Sequence, residues 1–114
     1  MAFRGDSMVI EANATNFNEA IQGRDVLVQF HAAWCGPCKM LTPILQEISE
    51  ENEVLKVVRV DVGEDRDLAI EQDIMGVPVI RLYRDGELIS SKTGFMPKVL
   101  IYDWIASSFE WRGR

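Results

Sequence analysis

Short apolar runs alternate along this chain with segments in which apolar residues recur every three or four positions. Residues 26–30 form an almost uninterrupted apolar run with β-branched members, as in a strand buried on both faces. After it, Leu41, Ile44, Leu45 and Ile48 have the spacing of one helix face. This alternation constrains the fold strongly, because a strand that leads through a helix to a parallel strand requires a crossover connection.

The rest of the chain continues the alternation. Asp85 and Gly86 separate the last two predicted strands, and this dipeptide is typical of a tight hairpin between antiparallel strands. The order β-α-β-α-β-α-β-β-α predicts an α/β fold with a central mixed five-stranded sheet and helices on both faces. In chain order the predicted elements are an edge strand at 8–10, a helix around 17–21, a strand at 26–30, a helix kinked at Pro43, a strand at 54–62, a short helix from Asp65 or Arg66, strands at 79–83 and 88–93, and a helix that begins near Pro97.

Length and composition indicate one globular domain. The chain has 114 residues, of which 47% are hydrophobic and 26% are charged, as in an ordinary soluble domain. We find no secretory leader and no apolar stretch long enough to cross a membrane, so no membrane association is expected. With 12 Lys+Arg against 18 Asp+Glu the net charge is −6, and the chain lacks the basic block that nucleic-acid phosphates require.

The two ends differ in pattern from the centre. We assign residues 1–7 to a flexible leader, residues 8–109 to the folded domain and residues 110–114 to a C-terminal tail. Trp111 in that tail is expected to pack back onto the domain. No internal repeat and no linker rich in Gly or Ser indicates a second domain.

The two cysteines of the chain, Cys35 and Cys38, stand where the first buried strand meets the amphipathic helix. A purely structural disulfide across two intervening residues would close a very short loop and contribute only roughly 2 kcal/mol. A zinc site would need four ligands, and only His31 adds a nitrogen or sulfur ligand of the usual kind. The third interpretation is thiol–disulfide exchange, which needs two neighbouring thiols of different reactivity.

The position of the pair favours exchange. At the first turn of a helix, Cys35 faces unpaired backbone N–H groups and the positive end of the helix dipole, which stabilise a thiolate. The thiolate is the attacking species in exchange. Cys38, one turn further along, is expected to be more buried and to resolve a mixed disulfide. Gly36 and Pro37 would hold the two sulfurs at bridging distance.

Residues 34–39, Trp-Cys-Gly-Pro-Cys-Lys, resemble the active-site signature of the thioredoxin family. Pro43 is similar to the proline in the long helix of that family, and residues 76–78, Gly-Val-Pro, resemble the loop that carries its cis-proline. Gly94 is similar to the glycine after the last strand. The resemblance covers about residues 20–106 in unbroken order and therefore extends well past the motif.

The resemblance implies a thioredoxin fold and a protein-disulfide reductase with Cys35 as nucleophile and Cys38 as resolving thiol. It implies no bound metal or cofactor, and electrons that come from NADPH through a thioredoxin reductase. The implied partners are that reductase and disulfide-containing substrate proteins, with the chain acting as a monomer. Two cysteines in a C-x-x-C motif also suit a reducing compartment, here the cytoplasm.

The resemblance further implies a surface for substrate proteins beside the cysteines. If the Val77–Pro78 bond is cis, the backbone of Val77 can pair with an extended substrate strand. The residues implied in this substrate patch are Trp34, Gly36, Pro37, Val77, Pro78 and Gly94.

Four positions depart from the pattern of the family. Gln29 stands where thioredoxins usually have a buried aspartate that is proposed to accept the proton of the resolving thiol, and an amide cannot titrate. His31 replaces a common aromatic residue on the same strand face, either as a packed residue or as a substitute base. Arg59 replaces a frequent lysine, with Asp61 as its candidate partner. Phe95 replaces a smaller residue and predicts a bulkier patch.

Two other functions are compatible with these features. Gln29, His31 and Phe95 are also what a specialised oxidoreductase serving one partner enzyme could carry. A redox-independent module that docks a partner through the apolar patch is the other alternative, because a fold alone does not determine a function.

Overall fold

The computed structural model describes residues 9–111 of the chain. Its strands form one five-stranded sheet in the order β1-β3-β2-β4-β5. The first three strands in this order are parallel, whereas β4 runs antiparallel to β2 and β5 antiparallel to β4. The predicted α/β fold with a mixed central sheet is confirmed. The elements are β1 Ile10–Ala12, α1 Phe17–Ala20, β2 Val26–His31, α2 Gly36–Glu51, β3 Lys56–Asp61, α3 Arg66–Glu71, β4 Val79–Arg84, β5 Glu87–Thr93 and α4 Lys98–Phe109.

The central strand β2 is buried at all six positions because helices cover both faces of the sheet. Val28 and Phe30 belong to the apolar layer under α1 and α3. Leu27 belongs to the opposite layer, under α2 and α4. Since side chains alternate along a strand, Gln29 and His31 lie on the Leu27 face, toward α2. Two polar side chains are thus enclosed between the sheet and the helix that carries both cysteines.

Element boundaries differ from the predicted ones mainly at the edge of the sheet. β1 is Ile10–Ala12 rather than residues 8–10, and Met8 lies outside the described residues. Two of its three side chains are exposed, so the apolar run that marks a central strand is absent. β3 is shorter than the predicted 54–62, because Val54 lies in a turn and is 75% exposed.

The connection between β4 and β5 has the predicted turn. Asp85 and Gly86 both have positive φ angles, 53° and 83°. Two successive positive φ angles are the requirement of a type I′ hairpin turn, which matches the twist of the strands it joins. Pro43 lies inside α2, as the sequence predicts, and the helix continues through it to Glu51.

The C-terminal end of α4 is tied to the sheet by a buried carboxylate. Asp25, just before β2, is 6% exposed and accepts hydrogen bonds from Arg84 Nη2 at 2.7 Å and Trp111 Nε1 at 2.8 Å. The Trp111 ring also lies 6.4 Å from the ring of Phe109. This network fixes the end of the sheet at which β2 begins. Residues 1–7 and 112–114, the assigned leader and the last part of the tail, lie outside the described range.

Candidate active site

The junction between β2 and α2 places one cysteine at the cap of a helix. Cys35 is the N-cap residue of α2, with an extended backbone (φ −96°, ψ 113°). Its Sγ accepts a hydrogen bond from the backbone N–H of Cys38 at 3.1 Å. At most helix starts the side-chain oxygen of a Ser, Thr or Asp accepts this hydrogen bond. The predicted place of Cys35 at the start of the helix is therefore confirmed.

Cys35 and Cys38 form a disulfide bond, with their Cα atoms 5.3 Å apart. Both residues are buried, at 5% and 2% exposure. Cys38 is the more buried of the two, as predicted, but the difference in exposure is small. Gly36 and Pro37 lie between them, exposed, in the first turn of α2. Proline is tolerated there because the N–H that it lacks would have no acceptor within the helix.

A second loop packs against the disulfide from the side of β4. The Val77–Pro78 peptide bond is cis, which is the geometry that the resemblance implies. Val77 packs against the cluster formed by Ala32, Cys35 and Cys38. The structure therefore brings the Val-Pro motif directly beside the cysteines, although some 40 positions of sequence separate them.

Gly94 joins the same region through the backbone. Its N–H donates a hydrogen bond to the carbonyl of Pro78 at 2.8 Å, and its φ of 97° is one that glycine adopts without penalty. Gly94 is half-buried and Pro78 is buried, so these two residues offer little side-chain surface of their own.

Large apolar side chains are exposed around this region. Trp34, which precedes the disulfide, is 75% exposed, and Phe95, which follows Gly94, is 39% exposed. Met75, in the loop that leads to Pro78, is 93% exposed. Met75 was not among the predicted site residues, and its signal in the sequence is a long apolar side chain next to the Gly-Val-Pro motif.

Gln29 lies behind the disulfide, fully buried between β2 and α2. Its Nε2 donates to Thr42 Oγ1 at 3.3 Å and lies 3.5 Å from the backbone carbonyl oxygen of Cys38. Its Oε1 has no hydrogen-bond partner among residues 9–111. Thr42 is a further member of the site that sequence reasoning missed, because only the packing of α2 on β2 brings it to Gln29.

His31 ends β2 on the same face and is 9% exposed. Its Nε2 is buried and has no hydrogen-bond partner within the described part of the chain. Burial lowers the pKa of His31 below its ordinary value of 6.5, and the nearby Arg59 guanidinium lowers the pKa further. Asp61, Glu11 and Glu64 oppose this lowering without cancelling it. The imidazole is therefore neutral at neutral pH.

Arg59 has a different partner from the one the sequence suggested. Its Nη1 forms an ion pair with the carboxylate of Glu11 in β1 at 3.0 Å. The prediction that Asp61 is the partner of Arg59 is therefore wrong. The Asp61 carboxylate instead accepts the backbone N–H groups of Gly63 at 2.8 Å and Glu64 at 3.3 Å, which shapes the turn after β3. The parallel register of β1 and β3, which pairs Glu11 with Arg59, explains the choice.

Two other kinds of site find no support between residues 9 and 111. None of the helices in that range has the length and apolar character needed to span a lipid bilayer. No three or more His, Cys, Asp or Glu side chains in the same range are arranged to hold a metal ion.

Comparison with known proteins gives one consistent result. The family model for thioredoxin matches residues 8–107 of the chain. The chain belongs to the thioredoxin family. A thioredoxin of Rickettsia felis is 44% identical over 84 residues, 73% of this chain and 80% of the relative. A thioredoxin of Bacillus subtilis is 34% identical over 98 residues, 85% of this chain and 94% of the relative.

A solved structure agrees with the sequence relatives of this thioredoxin-family chain. A single-residue mutant of a thioredoxin from Halobacterium salinarum superposes with a TM-score of 0.83 at 30% identity, covering 92% of this chain and 94% of that one. The thioredoxin fold is thereby confirmed. The activity of the family, thiol–disulfide exchange, is that of this chain, and the Cys35–Cys38 disulfide is its redox-active centre.

The lowered pKa of His31 predicts a pH dependence of stability. The unfolded state takes up the imidazole proton near pH 6.5, at a higher pH than the folded state does. The free energy of unfolding therefore has its full His31 contribution above that pH and loses it as the pH falls through the folded pKa. Replacing the imidazole by a neutral amide, in His31→Gln, should remove this part of the decline.

The measurement is urea unfolding of the wild type and His31→Gln at about pH 7.5 and about pH 5.5, on either side of the ordinary histidine pKa. Carboxylates titrate in both proteins, so the difference between the two declines isolates the imidazole. Equal declines would show that the folded and unfolded states bind the proton of His31 equally well.

Proposed function

We propose that this thioredoxin-family protein is a general reductant of protein disulfides in which Cys35 attacks and Cys38 resolves. The observation that supports these roles is the place of Cys35 Sγ at the cap of α2, 3.1 Å from the backbone N–H of Cys38. After reduction, free N–H groups and the positive end of the helix dipole stabilise a thiolate at this position. Cys38 lies one turn inside the helix and is 2% exposed, so a bulky substrate disulfide meets Cys35 first.

The proposed cycle transfers two electrons to the substrate. The Cys35 thiolate attacks one sulfur of a substrate disulfide, a Cys35–substrate disulfide forms, and the other substrate sulfur leaves as a thiolate. Cys38 then loses its proton and attacks Cys35 Sγ. The Cys35–Cys38 bond forms, the second substrate thiolate is released, and the substrate is reduced while this chain is oxidised.

We propose that the substrate patch consists of Trp34, Gly36, Pro37, Val77, Pro78 and Gly94. In support, Val77 packs directly against the cysteine cluster, which places it near Cys35, where a substrate strand would have to lie to pair with its backbone. The exposed side chains of Met75, two residues before Val77, and Phe95, next to Gly94, extend this surface. Apolar side chains with such exposure gain free energy when a partner covers them.

The wider setting is also proposed. A thioredoxin reductase that uses NADPH would return Cys35 and Cys38 to the dithiol, and residues 8–109 would act as a monomeric domain in the cytoplasm. The similarity to bacterial thioredoxins over most of their length supports this setting. So does the absence from the sequence of any cysteine beyond the active pair, since a C-x-x-C pair in a reducing compartment is usually catalytic.

A partner-specific oxidoreductase is the second candidate. The observation that favours it is the exposed apolar surface near the disulfide, where Met75 is 93% exposed and Phe95 is 39% exposed. A general reductant needs a surface that tolerates many sequences, whereas two large apolar anchors suit a matching pocket on one partner.

We also propose that His31 accepts the proton that Cys38 releases during resolution. The supporting observations are its place on the α2 face of β2 and its buried, unpartnered Nε2. The charged groups that face it are Arg59 and Asp61 on β3, Glu11 on β1 and Glu64 in the loop after β3. Burial, helped by Arg59, lowers the pKa of His31 despite the three carboxylates, so the imidazole is neutral at neutral pH, the form that can accept a proton.

Cysteine variants test the proposed roles. Cys35→Ser should lose reduction of insulin disulfides down to the uncatalysed background, because no attacking thiolate is left at the helix cap. Cys38→Ser should accumulate a mixed disulfide with the substrate, detected as a covalent adduct by mass spectrometry. Undiminished insulin reduction by Cys35→Ser would reject Cys35 as nucleophile. If Cys35→Ser instead replaced the wild type in cells in spite of losing insulin reduction, the redox-independent docking module would be favoured.

Substitution of the exposed anchors tests the patch. The double variant Met75→Ala and Phe95→Ala should raise KM for a protein disulfide about fivefold, equivalent to about 1 kcal/mol of apolar contact. Its rate with a small disulfide should stay unchanged, since such a substrate does not cover the patch. Adducts trapped by Cys38→Ser should span many proteins for a general reductant and one for a dedicated enzyme.

Val54→Ala is the matched control for the patch. Val54 is as exposed as Trp34 but lies beyond the far end of α2, a helix of 16 residues and thus about 24 Å long. It should leave KM for both substrates unchanged. An equal rise of KM in the control and in the double variant would mean that general surface hydrophobicity, and not this patch, determines substrate binding.

The pH profile of disulfide reduction tests His31. In His31→Gln the rate of mixed-disulfide resolution should fall, and the deficit should be largest above the imidazole pKa, where the wild-type ring is neutral and can accept a proton. The deficit should shrink at lower pH, where the wild-type imidazole is already protonated. A constant ratio of the two rates across the profile would indicate a packing role alone.

A further inference from the structure

β4 carries a charged residue on a face that otherwise belongs to the core. Val79 and Tyr83 are members of the apolar layer under α1 and α3. Arg81 lies between them on the same face of the strand, opposite Val28 of β2. It is half-buried, and no carboxylate between residues 9 and 111 forms an ion pair with it. A guanidinium in this place needs other hydrogen-bond acceptors, because burial of a charge without partners is costly.

The acceptors of Arg81 are neutral groups, and the shortest contact is made at the end of α3. Nη2 donates to the backbone carbonyl oxygen of Gln72 at 2.8 Å. Nη1 donates to the Tyr83 hydroxyl at 3.3 Å and to Gln72 Oε1 at 3.4 Å. The guanidinium carbon lies 5.4 Å from the centre of the Phe30 ring. Gln72 is the C-cap residue of α3, where a carbonyl has no N–H partner within the helix, so Arg81 holds the point at which the chain leaves α3.

Residues 73–77 lead from this point to the cis peptide bond beside the cysteines. The Ile74 N–H donates to the Ala69 carbonyl at 2.9 Å. From residue 75 to residue 77 no backbone–backbone hydrogen bond is formed with any part of residues 9–111. Apart from side-chain packing, the position of this segment therefore depends on how the two ends of the loop are held.

β4 holds both ends of the loop. Pro78 at one end is followed directly by this strand, and its carbonyl accepts the Gly94 N–H at 2.8 Å. Gln72 at the other end is joined to the same strand by the Arg81 side chain. We propose that Arg81 is a positioning residue for substrate binding, because its hydrogen bond to Gln72 keeps residues 73–77 where a substrate protein contacts them. The proposal rests on the substrate patch given above and adds a residue that touches no substrate itself.

This hydrogen bond affects the binding of proteins and not the transfer of electrons. Without it, the loop occupies its binding-competent position for only part of the time, and the apparent affinity for a substrate protein falls by that fraction. The cap bond of Cys35 is made within α2 and does not involve the loop. A small disulfide, which does not cover the loop, therefore reports the reactivity of Cys35 alone. Loss of the Arg81 contact should raise KM for proteins and leave kcat as it is.

Arg81→Met tests this split, because it keeps an unbranched stem in the apolar layer and removes every donor. KM for a protein disulfide should rise about fivefold, while kcat and the rate with a small disulfide stay unchanged. Arg81→Lys keeps the charge and a group that can donate to a carbonyl, so its KM should lie between those of the wild type and Arg81→Met. An unchanged KM in Arg81→Met would overturn the proposal, as would an equal fall in rate with both substrates.

Hydrogen exchange separates a local role of Arg81 from a general loss of stability. In Arg81→Met, exchange of the Ile74 amide should accelerate at least about tenfold more than that of Ile48, a buried residue of α2. Equal acceleration of the two amides would overturn the proposal, since Arg81 would then stabilise the domain as a whole. The measurement needs no disulfide exchange. A failure of the proposed reductase function would instead appear in the wild type, which would not reduce protein disulfides.

Tyr83→Phe is the matched control. It removes a hydroxyl that accepts from Arg81 and leaves the hydrogen bond to the Gln72 carbonyl in place, so KM and the Ile74 exchange rate should stay within about twofold of the wild type. An effect as large as that of Arg81→Met would show that any contact of the guanidinium serves equally, and would overturn the assignment to Gln72. If Arg81→Met does not fold, Arg81→Gln takes its place with the same expected results, because its amide is too short to reach that carbonyl.

Discussion

The hydrogen bond from the Cys38 N–H to Cys35 Sγ is the interaction on which the rest of the site depends. It makes a sulfur atom the cap of α2, at 3.1 Å from the first-turn N–H that a hydroxyl or carboxylate usually satisfies. The cap holds Cys35 where the helix dipole favours negative charge, and the helix turn carries Cys38 inward. One local feature thus gives two chemically alike side chains different environments.

The fold supplies those contacts from two directions. On one side, Val77 packs against the cysteine cluster, and the N–H of Gly94 holds Pro78 at 2.8 Å. On the other, Gln29 of the central strand reaches α2 through Thr42. Because β2 is buried along its whole length, it serves as a rigid base for both. The exposed side chains remain at the rim, where a partner can cover them.

Sequence reasoning reaches the parts of this arrangement that local patterns encode. The apolar run of β2, the helix face of α2 and the hairpin at Asp85 are visible because burial and turn chemistry select particular residue types at particular spacings. The exposed edge strand β1 carries no such pattern, and its predicted position is wrong. The partners of Arg59 and Gln29 depend on which strand or helix packs beside them, and no short-range signal in the sequence carries that information.

The uncharged character of Gln29 also simplifies the interior behind the disulfide. A carboxylate there would titrate together with the resolving thiol, so that neither group would have a pKa of its own. With an amide in that place, and with the pKa of His31 lowered by burial, the space behind Cys38 carries no charge on these two side chains at neutral pH. The buried disulfide therefore closes without stranding a charge in the interior. Activation of the nucleophile is left to the helix cap at Cys35, where backbone N–H groups and the helix dipole stabilise a thiolate.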